Sequence, residues 1–319
     1  MKFKKQWGLL PGLILLFGGL DVLILLSHTS RLVGLALFIA GGVLLYYSSG
    51  GMIREEQGNL GTKIMNGLTL DGRLVQIFPA LGVSLIIFVI IFNIRFSGSL
   101  DLGSHDYVTI LLGGALLAYR YIPKKYGFER DWLLLFFALL FLILVVPLTL
   151  HEIMVGGKTE TTNSPFVYYL LAKPVASLVS ALGVPSEAYI APLKGVAVNY
   201  ALQTGGSGEV VIGLSCTGLY SVSIFISAFT AFVLLEYNRL DRKVALLITA
   251  GVITAYVANI LRMSIIVMVG SYYGPSALAW THANLGTFIF LGWITLFWGI
   301  AYRYLDIRED LEGKMEGEA

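Results

Sequence analysis

Charge is scarce in this sequence, and cysteine is scarcer. Lys, Arg, Asp and Glu make up 13% of the 319 residues, against about 25% in an ordinary soluble domain. The formal net charge of +2 is too small for a nucleic-acid surface, which needs a clustered basic patch. Cys216 is the single cysteine, so no disulfide can close within the chain. One thiol and four scattered histidines give no metal-ligand spacing. The chain has no P-loop, no GxSxG elbow and no HExxH motif. It shows no internal repeat, and no cofactor is implied.

What fills the sequence instead is apolar, at 56% of residues. Several runs carry almost no charge over the ~20 residues that cross a bilayer. They predict an all-α polytopic membrane protein with about eight transmembrane helices: Trp7–Leu26, Leu32–Tyr47, Leu74–Ile94, Tyr107–Ile122, Trp132–Leu150, Leu214–Leu235, Val244–Gly270 and Ala283–Ala301. The first run follows a basic start. With no small-residue cleavage site behind it, it reads as a retained span rather than a removed signal peptide. Residues 165–182 are apolar too, but Lys173-Pro174 interrupts them. Because proline breaks a helix interior, this stretch reads as interfacial or re-entrant.

Lys and Arg set the orientation. With the N-terminus inside, sixteen of the 22 fall on inner segments and five on outer ones, and Arg262 remains within the seventh span. Both termini are then cytoplasmic. The longest outer segment is 151–213. Within it, residues 194–213 alternate apolar and polar about the run TGGSGE, which predicts a short β-hairpin. The tail EDLEGKMEGEA reads as polar and disordered.

This topology brings three side chains of complementary chemistry to the outer boundary. Cys216 begins the sixth span, Arg262 lies in the seventh, and His282 precedes the eighth. Each has a plain structural explanation. A free cysteine in apolar surroundings is ordinarily a packing residue. An intramembrane arginine can serve a structural ion pair, here with Asp21. A boundary histidine is often only a polar edge residue, and His28, His105 and His151 lie on the same side. Their convergence is what points to chemistry. A cationic neighbour lowers a thiol pKa, and histidine can take the thiol proton and later protonate a leaving amine. Arginine can stabilise a thiolate or an oxyanion. Together these describe acyl transfer through a thioester. Two other classes fit the same spans: a transporter binding an anionic solute at Arg262, and a structural assembly subunit.

The motifs CTGL at 216–219 and NILR at 259–262, with His282 ahead of an apolar last span, resemble the exosortase/archaeosortase family. The threonine of CTG is closer to the archaeal branch. The resemblance covers mainly 132–304, with 1–131 as less similar N-terminal helices and 305–319 as a cytoplasmic tail. It implies a plasma-membrane cysteine peptidase or transpeptidase of a prokaryote, with its site at the extracytoplasmic face. Such an enzyme cleaves the C-terminal sorting signal of exported proteins (a short motif, a transmembrane helix and a basic tail) and passes them to an acceptor such as a lipid. It assigns Cys216 as nucleophile, Arg262 as stabiliser and His282 as general acid/base. Asn259, one turn before Arg262, is placed to hold the guanidinium or a substrate carbonyl. Thr217 and Gly218 are expected to keep the nucleophile's backbone adaptable, and Tyr220 to line the site from the Cys216 face of the sixth span.

Overall fold

The computed structural model describes residues 31–52, 60–98, 102–155, 165–191, 194–237 and 242–305, with Leu100 and a few isolated positions before residue 20. The expected first span, Asp21, His28 and the C-terminal tail lie outside these residues. The remainder is helical apart from one small sheet.

Helix α1 is Arg31–Met52, α2 Leu60–Thr69, α3 Phe78–Ser97 and α4 Ser104–Tyr119. Helix α5 runs from Gly127 through a π-turn at Phe141–Val145 to Val155. Helix α6 is Pro165–Ala181, α7 is Leu219–Tyr237 and α8 is Arg242–Tyr304. Four of these are long and apolar enough to cross a membrane: Phe78–Arg95 within α3, Gly127–Leu150 within α5, α7 and α8. Five of the expected spans fall on these four helices, because α8 contains two. The expected second and fourth spans fall on α1, of 22 residues, and α4, of 16. Helix α2 was not expected from the sequence.

The described residues form two compact units, one holding residues up to 159 with 226–241, the other 160–225 with the residues from 242 onward. In the first unit, α3 and α4 approach closely at Gly82 and Gly113. A Cβ on Gly82 would lie 2.4 Å from the Gly113 carbonyl oxygen, so only glycine permits the crossing, as is common between membrane helices. Phe78, Leu112, Leu116, Tyr119, Leu134 and Met65 are buried together. Ile87, Phe88, Ile91 and Ile94 of α3 stay exposed, an outward apolar face suited to hydrocarbon.

The second unit is built around α8. At 63 residues a straight helix would run roughly 95 Å, about three times the hydrocarbon thickness. It does not run straight. Gly274 takes φ 82° and ψ −177°, and Pro275 follows. A left-handed glycine ends one helix and a proline opens the next, so α8 doubles back on itself. Lys243 Nζ donates to the Tyr304 carbonyl at 3.4 Å, and Trp293 Nε1 to Thr254 Oγ1 at 3.0 Å, which makes the two arms antiparallel. The spans expected from the sequence end at Gly270 and resume at Ala283; the helix runs on through 271–282, and the turn is the Gly-Pro step alone. Phe225 is fully buried against Trp293 and Phe297 and lies where a Cβ on Gly251 would stand, 2.1 Å from its Cζ.

The proline expected to break 165–182 does not. A π-turn at Tyr168–Ala172 precedes Lys173-Pro174, and the helix continues to Ala181. The π-turn of α5 likewise ends two residues before Pro147. A proline lacks the N–H that would bond the carbonyl four residues back and crowds that carbonyl with its ring; one wider turn relieves the clash. The freed carbonyl of Leu170 accepts instead from the Tyr256 hydroxyl on α8.

The expected hairpin is present, with a third strand the sequence reading missed. Strands β1 (Ser186–Ala191), β2 (Gly195–Ala201) and β3 (Ser207–Val211) form an antiparallel sheet in that order. It is fastened to α8 near the turn. Ser271 Oγ donates to the Ala201 carbonyl at 2.6 Å, and the Gln203 N–H to the Ser271 carbonyl at 3.1 Å. Tyr200 lies over Gly270, where a Cβ would stand 2.7 Å from its hydroxyl.

Candidate active site

Strand β3 delivers the chain to Cys216. The Ile212 N–H still bonds the Val196 carbonyl at 2.8 Å, and a 3₁₀ turn at Leu214–Cys216 follows. The Cys216 N–H donates to the Gly213 carbonyl at 2.9 Å. Cys216 therefore stands ahead of α7 rather than within it, and is 2% exposed. The helical face it was expected to share with Tyr220 is broken, because Gly218 between them has φ +83°. Tyr220 is half-buried in the first turn of α7.

The residues expected to keep this segment adaptable hold it in place. Thr217 Oγ1 donates to the Leu214 carbonyl at 2.7 Å and accepts from the Leu219 N–H at 3.3 Å, capping the entry to α7. Gly218 needs its left-handed backbone, and its free face admits Asn259: a Cβ there would lie 3.0 Å from Asn259 Cγ.

The two arms of α8 bring the other residues to this turn. Asn259 is buried and donates from Nδ2 to the Cys216 carbonyl at 3.0 Å. Its Oδ1 accepts from Arg262 Nη1 at 3.5 Å. One amide therefore touches both the Cys216 backbone and the guanidinium. From the returning arm, His282 places Nε2 3.7 Å and Nδ1 3.9 Å from Cys216 Sγ. Such lengths suit a sulfur partner at rest, and catalytic hydrogen bonds commonly tighten only around substrate. Because the returning arm of α8 begins at Pro275, His282 sits inside a helix.

Arg262 crosses to the returning arm at Gly286, where a Cβ would stand 2.9 Å from its Nε. That Nε is buried with no hydrogen-bond partner. Among the described residues no carboxylate lies within ion-pair distance of Arg262, and its proposed partner Asp21 lies outside them. Gly286 was not singled out in the sequence. The available signal was its place one turn after His282, on the same helix face.

Burial pushes the Cys216 thiol above its ordinary range, while Arg262, the Ser215 hydroxyl and the Gly213 backbone pull it down. Desolvation is the largest effect. The sequence reading weighed only the cationic neighbour and expected a lowered value. At rest the group is a shielded thiol next to a base, a state suited to deprotonation on demand. Of the other histidines, the structure describes the surroundings of one. His105, in the first unit, faces Glu152 at 3.5 Å and Asp106 at 3.7 Å.

The arrangement of thiol, imidazole, guanidinium and bridging amide fits nucleophilic acyl chemistry. No curated protein and no solved structure matches the chain. The family described as Transmembrane exosortase (Exosortase_EpsH) matches residues 65–299. That stretch is well over half of the 319 residues and contains the whole cluster, and the chain belongs to this transmembrane exosortase family.

Proposed function

We propose that the protein is a cysteine peptidase and transpeptidase of the plasma membrane, acting at the extracytoplasmic face on exported proteins with a tripartite C-terminal signal. The observation that carries this reading is the 3.7 Å approach of Cys216 Sγ to His282 Nε2, with the unpartnered Arg262 Nε alongside. Family membership over 65–299 supports it. The threonine of CTG favours the archaeosortase-like branch, and the catalytic core is 132–304.

In the proposed reaction His282 takes the Cys216 thiol proton as sulfur bonds to the scissile carbonyl carbon. Arg262 faces the oxygen that gains negative charge, where a preorganised donor counts most. The tetrahedral adduct collapses, the C–N bond breaks, and His282 returns its proton to the departing amine of the client's transmembrane helix. The thioester then reacts with an amine or hydroxyl of an acceptor, lipid among the candidates; His282 removes the incoming proton, the C–S bond breaks, and the proton passes to the departing Cys216 sulfur. Water in that role gives proteolysis alone. Asn259 holds the Cys216 backbone and the guanidinium in register.

The test is processing of a client encoded in the same genome, ending in motif, apolar helix and basic tail, co-expressed with wild type or Cys216→Ala. A size shift lost only in the variant supports the reading. Equal processing by both removes the nucleophile and brings forward the transport of an anionic solute at Arg262.

A further inference from the structure

The sheet that leads to Cys216 has two unlike edges. On β1 the outer side is closed by the chain itself: the Ser186 N–H donates to Ser180 Oγ at 3.1 Å, and Ser186 Oγ to the Ala176 carbonyl at 2.8 Å, both on α6. Strand β3 is the other edge, with no strand beyond it among the described residues; α8 packs near it. Its bonding parity follows from the register. Leu202 pairs with Gly206 and Val196 with Ile212 through main-chain bonds, so Gly208 and Val210 between them also face β2. The N–H and C=O groups of Ser207, Glu209 and Val211 then point away from the sheet. Ser207 and Glu209 are exposed and Val211 is half-buried.

Open edges are usually blocked by proline, lysine or a bulge. Strand β3 has none of these. Its one charge, Glu209, is engaged at 3.3 Å by Lys194, in the turn just before β2. Five residues beyond Val211 stands Cys216. We infer that the β3 edge binds the client's cleavage motif as an added, parallel strand, threading the scissile bond to Cys216.

The parallel direction follows from the path of the chain. The enzyme goes from strand β3, through the Cys216 turn, into the span α7. A client of the proposed kind goes from an extended motif, through the scissile bond, into its own span in the same direction. Laid side by side the two chains match: strand beside strand, cleavage point beside Cys216, helix beside helix. Main-chain bonds along such an edge give affinity without demanding particular side chains.

The inference rests on the peptidase reading, and the experiment separates the two. It uses the full-length enzyme in its membrane and, as probe, an epitope-tagged client carrying the motif, helix and basic tail of a protein from the same genome. Ser207→Pro and Glu209→Pro each delete one outward N–H and spare the bonds to β2; proline is tolerated at an edge. Each is expected to raise the client level for half-maximal processing about tenfold with little change in maximal rate. Alkylation of Cys216 at the wild-type rate by a small thiol reagent shows that the variants are folded. Independently, a photo-crosslinking residue at Ser207 or Glu209, in a Cys216→Ala background, is expected to capture client residues just before the cleavage point. The captured positions alternate and move the same way along both chains. Cys216-dependent processing with unchanged half-saturation and no such crosslinks overturns edge binding and leaves the peptidase reading standing. Crosslinks that move in opposite directions overturn the parallel arrangement. Absence of any Cys216-dependent processing overturns both.

Discussion

Asn259 Nδ2 donates to the main-chain carbonyl of Cys216 at 3.0 Å, across a helix–turn contact that Gly218 alone keeps open. The same amide accepts from Arg262. Its loss frees the Cys216 backbone and the guanidinium together. Asn259→Ala leaves a buried carbonyl without its donor, a penalty of about 1–3 kcal/mol. We expect kcat for client processing to fall at least tenfold with a smaller change in KM. Asn259→Asp, which keeps the shape and loses the donor, is expected to fail as well. An unchanged kcat in both variants would show that the bond positions nothing.

Thiol reactivity tests the electrostatics. Burial raises the Cys216 pKa and Arg262 lowers it. The thiolate fraction, and with it the rate of alkylation, therefore climbs with pH above the ordinary thiol range. Arg262→Gln removes a lowering influence, so its rate profile is expected to move to higher pH. A profile moving to lower pH, or standing still, would mean that the guanidinium does not act on the sulfur.

Gly286→Ala adds a methyl where the Arg262 side chain passes, 2.9 Å from Nε. Flexible arginine can yield, so the protein is expected to fold with a melting temperature near wild type. Displacing the guanidinium is expected to reduce kcat by tenfold or more, the scale set by loss of one oxyanion donor. Wild-type kcat in a folded Gly286→Ala enzyme would count against Arg262 acting at the reacting centre.

The proline-bearing helix α6 offers a double-mutant cycle. Tyr256→Phe strips the Leu170 carbonyl of its donor, and we expect about 1–3 kcal/mol of destabilisation, read as a lower melting temperature in detergent. Pro174→Ala restores an N–H four residues beyond Leu170. In that background Tyr256→Phe is expected to cost much less. Strict additivity of the two changes would rule out the shared carbonyl.

Packing in the second unit can be checked at Phe225, wedged among Trp293, Phe297 and Gly251. Phe225→Ala removes a fully buried ring, and losses of about 3–5 kcal/mol are typical of such cavities. A melting temperature within one degree of wild type would contradict the packing described.

Five of the expected spans were legible because hydrocarbon demands long uncharged runs, and the hairpin because alternation about a glycine turn is a local pattern. Residues 271–282 were misread because Gly-Pro ordinarily marks a loop. Here Gly274 and Pro275 each suit one helix end, so two helices meet with nothing between them. Pro174 was misread because a π-turn can carry a helix past a proline, and the donor that satisfies the freed Leu170 carbonyl, Tyr256, is far away in sequence. Strand β1 escaped notice because its six residues contain neither a turn pair nor strict alternation. Cys216, Arg262 and His282 were each visible as rare chemistry in apolar surroundings. Gly286 was not, since a glycine reveals its purpose only when the side chain crossing it is known.

The turn at Gly274–Pro275 also bears on the order in which the protein is made. Arg262 and His282 lie on the two arms of one hairpin, twenty residues apart, and can meet as soon as that hairpin closes. Cys216 leaves the ribosome 66 residues before His282. Until the returning arm is synthesised, the nascent chain carries Cys216 with no imidazole beside it, because His282 lies beyond the turn. Closure of the hairpin is thus the last event that the cluster waits for, and it depends on twenty residues of contiguous sequence rather than on a distant segment.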